Sequence, residues 1–131
     1  MSIRIKFNIE YSLSEGTAGA KELGLAPPWN GTNDLMDDGG TFRRKIFAGA
    51  SDVLIDLNGL ATGRLLAIKT DNTITLKKNS SAGEAWTVKP LGTGATYGVM
   101  FLTTDGITSL YVSNAGPNDA EVVFSIAGTF T

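Results

Sequence analysis

From Gly63 to Gly128 the chain shows no helical period. Short apolar runs rich in β-branched and aromatic residues alternate there with turn residues. Such a stretch folds as consecutive antiparallel strands. No other feature of the sequence constrains the fold as strongly.

Two hairpins are expected within it. Tyr97–Thr104 and Ile107–Ser113 flank Asp105-Gly106, and Asp-Gly between apolar runs favours a type I′ turn with positive φ at both central residues. A two-residue turn pairs Phe101 with Leu110 and Val99 with Val112, which places all four on one face. Gly63–Thr70 and Ile74–Lys78 flank Asp71-Asn72, and a three-residue loop with a bulge sets Ile68 against Leu76 and Thr70 against Ile74. Trp86 and Val88 share a face of a short strand ending at Pro90. Val122, Phe124 and Ile126 share a face of the last strand, after the turn cluster Asn114–Asp119. Phe101, Leu110, Val112, Val122, Phe124 and Ile126 are therefore expected to be buried together.

Upstream, Ile3, Ile5, Phe7, Ile9 and Tyr11 alternate with Arg4, Lys6, Asn8 and Glu10, the pattern of an amphipathic strand. Its partner is expected inside the domain or across a subunit boundary. Thr41–Ala48 and Asp52–Leu57 read as another strand pair, with Val53, Ile55 and Leu57 inward and Asp52 and Asp56 outward. Between these regions, residues 12–40 show little strand pattern. Ala18–Leu25 has room for one short helical turn, and Pro27-Pro28 favours an extended path. The segment is too apolar for a freely solvated linker. It reads either as a loop over its own sandwich or as an arm gripping a neighbour, with Leu23, Leu25, Pro27, Pro28 and Trp29 as the candidate partner contact. The expected fold is all-β: an antiparallel, jelly-roll-like sandwich of about eight or nine strands. It occupies one domain over 1–131, with 12–40 as an irregular loop or arm.

The chain's 131 residues include no cysteine and no histidine. A disulfide framework and a thiolate metal site are thereby excluded, and the commonest general base is missing. The net charge is −2, and the densest basic cluster, Arg43-Arg44-Lys45, reads as a solvated strand face rather than a nucleic-acid surface. No apolar run is long enough to span a bilayer and no leader opens the chain, so a soluble protein outside the general secretion route is expected.

Candidate chemistry is sparse. Asp34, Asp37 and Asp38 are the nearest carboxylates for acid–base work or a hard cation, but their spacing does not fit an EF-hand and capping or solvation accounts for them equally well. Gly92-x-Gly94 lacks the helix that a phosphate-cradling loop needs. Asn30-Gly31-Thr32 and Asn79-Ser80-Ser81 match a glycosylation pattern and are taken as accidental. Trp29, Trp86 and Tyr97 could form a sugar-stacking platform, with Trp86 drawn toward the core. No catalytic, cofactor or metal residue is assigned.

Gly63–Thr70, Val99–Leu102, Ile107–Asn114 and Ala120–Gly128 resemble small all-β virion proteins of tailed bacteriophages, in a strand phrase ending in Ser-Asn, a Gly-Pro turn and a last strand closing on Gly. The resemblance covers roughly half the chain. It implies a non-enzymatic capsid decoration or stabilising protein, or a small tail component, made in the host cytoplasm and residing in the virion as a symmetric oligomer. The implied partners are copies of itself and a major capsid or tail protein, with no cofactor, nucleic acid, membrane or small-molecule ligand expected. Two other classes remain open: a carbohydrate-binding sandwich, for example on a phage tail, and an enzyme using the carboxylates of the 34–38 segment.

Overall fold

Period-two burial decides the architecture. Val122, Phe124 and Ile126 are buried while Glu121 is exposed and Val123 and Ser125 are half-buried, so one face of the last strand is core and the other is not. The structure is a computed structural model that describes residues 3–9, 12–14, 22–25, 29–36, 38–57, 59–90 and 97–130, with side chains from Gly39 onward apart from Asp105. Among these residues there is no helix. The strands are β1 (Ile3–Ile9), β2 (Ser12–Ser14), β3 (Glu22–Leu25), β4 (Trp29–Met36), β5 (Asp38–Ile46), β6 (Val53–Leu54), β7 (Thr62–Thr70), β8 (Ile74–Lys78), β9 (Ala85–Val88), β10 (Gly98–Ile107), β11 (Leu110–Ser113) and β12 (Ala120–Thr129).

Eight of them form two four-stranded antiparallel sheets, a large one in the order β10-β7-β12-β5 and a smaller one in the order β6-β11-β8-β9. Their apolar faces meet. Ile68, Leu66, Phe124 and Ile126 of the large sheet join Leu76, Val112, Leu110 and Val88 of the smaller one in a single core. Phe42 stacks on Phe124 with ring centroids 5.3 Å apart. The pairing is nested: β8 with β9, β7 with β10, β6 with β11, and β5 with β12. Its shape is that of one long hairpin, centred on the 79–84 turn and rolled so that each connection other than β8–β9 passes from one sheet to the other. Two-stranded ribbons β1-β4 and β2-β3 complete the described strands.

The all-β sandwich agrees with the sequence reading, but the strand partners do not. Asp105-Gly106 is not a hairpin turn. It lies inside β10 at a register shift between Thr103 and Ile107, and Gly106 does not have positive φ. β10 pairs with β7, setting Phe101 opposite Ala67, whereas Leu110 and Val112 pair with β8. The cause is Asn79 at the end of β8. Its side-chain amide donates to the Gly106 carbonyl at 2.6 Å, its carbonyl oxygen accepts the Thr108 N–H at 2.8 Å, and its own N–H donates to the Ser109 carbonyl at 2.8 Å. These bonds carry the chain across to the smaller sheet before it can fold back.

The expected hairpin of residues 63–70 with 74–78 is likewise a crossing, since β7 and β8 lie in opposite sheets. The Asp71–Thr73 loop bonds sideways to the start of β12: the Glu121 N–H donates to Asp71 Oδ1 at 2.8 Å and Asn72 Nδ2 donates to the Asp119 carbonyl at 2.8 Å. Residues 41–48 and 52–57 also part, β5 pairing with β12 and β6 with β11. The inward placement of Ile55 and Leu57 holds.

The N-terminal strand finds its partner in the same chain, with Ile9 opposite Trp29 and Ile3 opposite Met36. Residues 12–40, read as irregular, contain β2, β3 and β4 and the start of β5, and the stretch considered for a helical turn contains strand β3. Residues 18–21 lie outside the described residues.

Asn114 is fully buried and fully bonded. Its amide donates to the carbonyls of Ile46 at 3.0 Å and Asn118 at 2.9 Å, its Oδ1 accepts the Gly116 N–H at 3.0 Å, and its backbone bonds Gly49 and Ala50 at 2.8 Å each. It thus ties the β5–β6 connection to the β11–β12 connection. Asn114→Ala should cost about 1–3 kcal/mol, because it strands buried carbonyls without a donor. Phe124→Ala should cost about 3–5 kcal/mol in reversible denaturation, whereas Phe101→Ala should cost less than about 1 kcal/mol. Equal losses at the two phenylalanines would contradict this register.

Candidate functional site: the outer face of the large sheet

The outward residues of an antiparallel sandwich are ordinarily polar. Those of the large sheet are mixed, with Val99, Phe101, Ala67 and Val123 among Lys69, Arg43, Thr41, Ser125 and Thr103. The registers of β10, β7, β12 and β5 align Val99, Lys69, Val123 and Arg43 in one row and Phe101, Ala67, Ser125 and Thr41 in the next. Thr103, Leu65, Ala127 and Gly39 form the third, in which Leu65 and Ala127 are buried, so the exposed apolar area lies in the first two rows. Val99 is 74% exposed and Phe101 39%, so two large apolar side chains that the sequence placed in the core stand on the surface. Their apolar alternation in the sequence is that of an inward-facing strand; what reverses it is the pairing with β7, which turns Met100 and Leu102 toward the core instead.

Ala67 and Ser125 are small, and the larger Val99, Phe101 and Val123 stand around them, leaving a shallow groove of about 330 Å3. The Ser125 and Thr41 hydroxyls bond each other at 2.8 Å, so the polar atoms at that margin are satisfied within the sheet. At one end the surface becomes charged. Lys69 Nζ lies 4.0 Å from the Tyr97 ring centroid, and Arg43, Asp71 and Glu121 line an adjoining depression of about 220 Å3. Lys45 meets Glu121 there at 3.6 Å, an exposed pair of small energetic worth. This surface offers apolar area with cations and carboxylates together at one margin. Among the described residues, no group of three acidic or other metal-ligating side chains converges.

A second polar cluster sits on the smaller sheet. Lys77 Nζ donates to Asp52 Oδ1 at 3.1 Å and to the Ser81 carbonyl at 3.0 Å, while Ser113 Oγ accepts the Asp52 N–H at 2.8 Å. Asp52 has φ of 48°. The arrangement braces β6 against β8 and β11, and it was not legible from spacing, since Asp52, Lys77 and Ser113 come from three separate strand ends.

The residues singled out in the sequence are dispersed. Leu23 and Leu25 lie on β3, with Leu25 opposite Ser12, and Trp29 opens β4; Pro27 and Pro28 lie outside the described residues. Asp34 lies in β4 and Asp38 opens β5 opposite Gly128, while Asp37 lies outside the described residues. Arg43, Arg44 and Lys45 line an edge strand, where charge discourages unwanted strand pairing. Trp86 shares the inner face of β9 with Val88, with Lys78 Nζ 5.9 Å from its ring centroid, and Tyr97 precedes β10 in the opposite sheet. Trp86 and Tyr97 therefore form no common stacking platform.

Comparison with known families, with curated proteins and with solved structures finds no match to this chain.

If this face is outward, Ala67→Leu should change stability by no more than about 0.5 kcal/mol, whereas Leu66→Ala, one residue away on the inner face, should cost about 2–5 kcal/mol. Thermal or denaturant unfolding of the two variants reads the difference directly.

Proposed function

We propose that this chain is a non-enzymatic structural protein of a bacteriophage particle, a capsid decoration or stabilising protein that acts as a symmetric oligomer, and that its sandwich is a jelly roll. The apolar outer face carries the proposal: Val99, Phe101, Ala67 and Val123 form an outward surface of a kind that marks contact with another protein. The jelly-roll reading is supported by the strand orders β10-β7-β12-β5 and β6-β11-β8-β9, with β5 beside β12 and every pair nested about the 79–84 turn. Eight-stranded double-sheet jelly rolls occur in viral capsid and lectin domains, and that likeness is an analogy of fold. The virion setting rests on the resemblance of Gly63–Thr70 and Ala120–Gly128 to small phage proteins.

A decoration protein works by many copies of one contact, so its requirements are a stiff scaffold and a desolvating surface. The single core spanning both sheets supplies the first. The groove around Ala67 supplies the second, with Lys69 and Arg43 positioned at its margin to orient an approaching surface.

The test is native mass by light scattering, followed by co-sedimentation with phage capsids lacking their decoration protein. The expected result is a closed oligomer that sediments with the particles. Ala67→Glu, which buries a charge in the contact without touching the core, should reduce co-sedimentation at least about tenfold while the unfolding midpoint stays unchanged. A monomer that ignores every capsid would overturn the proposal.

A further inference from the structure

The two sheets have four outer strands, and three of them are guarded. β6 has two residues and β9 has four, with Pro90 shortly beyond. β5 carries Arg43, Arg44 and Lys45, all exposed. Short length, proline and charge are the devices that keep a sheet edge from recruiting another strand. β10 has none of them over most of its length. It runs ten residues, and from Gly98 to Thr104 it has no charge, no proline and no register shift before Thr103. Among the described residues it pairs with β7 alone. Val99 is 74% exposed.

We propose that β10 is the seam of a two-fold contact, pairing antiparallel with β10 of a second copy to join two large sheets into one. This rests on the reading of the protein as a homo-oligomer and names the surface it uses. The occupant is a second copy because the strand is its own complement. The uncharged stretch Gly98–Thr104 is centred on Phe101, and a two-fold axis there sets Phe101 opposite Phe101 of the second copy, Val99 opposite Thr103, and Met100 opposite Leu102. No like charges meet in that register. Pairing β10 with β5 of another copy would instead place Val99 and Phe101 along the Arg43–Lys45 edge and would propagate without closing. The same two-fold aligns the apolar outer faces of both copies side by side, so the seam and the groove become one continuous surface.

The chain has no cysteine, so single cysteines report the seam without background. Opposed residues in an antiparallel pair have Cα atoms about 4.5–5.5 Å apart, within disulfide reach. Under mild oxidation Phe101→Cys should crosslink to itself nearly completely. Thr103→Cys should not, because its counterpart lies about 14 Å away, four residues along the strand. A mixture of Val99→Cys and Thr103→Cys should yield the mixed dimer. Val99→Lys should weaken self-association at least about tenfold.

Native mass measured on the same samples separates the two levels of the argument. Crosslinking in this pattern, within an oligomer, supports the seam. An oligomer in which Phe101→Cys stays uncrosslinked and Val99→Lys stays assembled overturns the seam and leaves the oligomeric reading intact. A monomer without crosslinks overturns both.

Discussion

Nested antiparallel pairing about the 79–84 turn is the constraint on which the rest of this structure depends. Among the eight sandwich strands, β8 and β9 alone are both paired and adjacent in sequence; β5 and β12 pair from opposite ends of the sandwich, with Ile46 opposite Ala120 and Asp38 opposite Gly128. Each ladder must close a long loop before it is rewarded. What rewards it is the meeting of two apolar faces. Phe124, Leu66 and Ile68 on one sheet lose water against Leu76, Leu110 and Val112 on the other, and burial of side chains of this size stabilises by about 1.5–3 kcal/mol each.

Rolling a long hairpin in this way leaves polar backbone at every crossing, and the structure satisfies it with short side chains. Asn114 serves one end of the sandwich and Asn79 the other. Thr70, fully buried, donates its hydroxyl to the Asn72 carbonyl at 2.6 Å at the β7–β8 crossing. Asp119 accepts the Ala48 N–H at 2.9 Å, linking the loop after β5 to the entry of β12. No described buried side-chain polar atom lacks a partner. These residues sit in loops or, like Thr70, at a strand end, and their work is to direct strands to the correct sheet.

That division explains what could be read from the residues and what could not. Strand character was legible from period-two alternation, as in Val122, Phe124 and Ile126. So were the shared face of Trp86 and Val88 and the all-β class. Partners were not. Ile68 and Leu76 match as hairpin neighbours or as residues facing each other across a core, and a period of two is the same in both cases. Asp105-Gly106 has the composition of a tight turn, but a glycine also suits a bulge, and the side chain that decides between them, Asn79, lies far away in sequence. Once β10 was paired wrongly, the surface was lost with it. Val99 and Phe101 were assigned to the core, and the outer face they help to form was invisible. The candidate contact Leu23, Leu25, Pro27, Pro28 and Trp29 came from the apolar character of the 12–40 segment; of these, Leu23 and Leu25 lie on β3 and Trp29 on β4.

Under the proposed function, the large sheet is the surface through which copies of this chain meet each other and a particle. Its outer face exposes Val99 and Phe101, and its β10 edge is uncharged from Gly98 to Thr104 where the β5 edge is basic. Amide hydrogen exchange on the assembled protein, resolved strand by strand, tests this most directly. Outward amides of β10 should exchange as slowly as those of β7, its neighbour inside the sheet, while those of β6 and β9 exchange freely at their edges. Fast exchange along β10 in the assembly, with protection gained on β6 or β9 instead, would contradict the account.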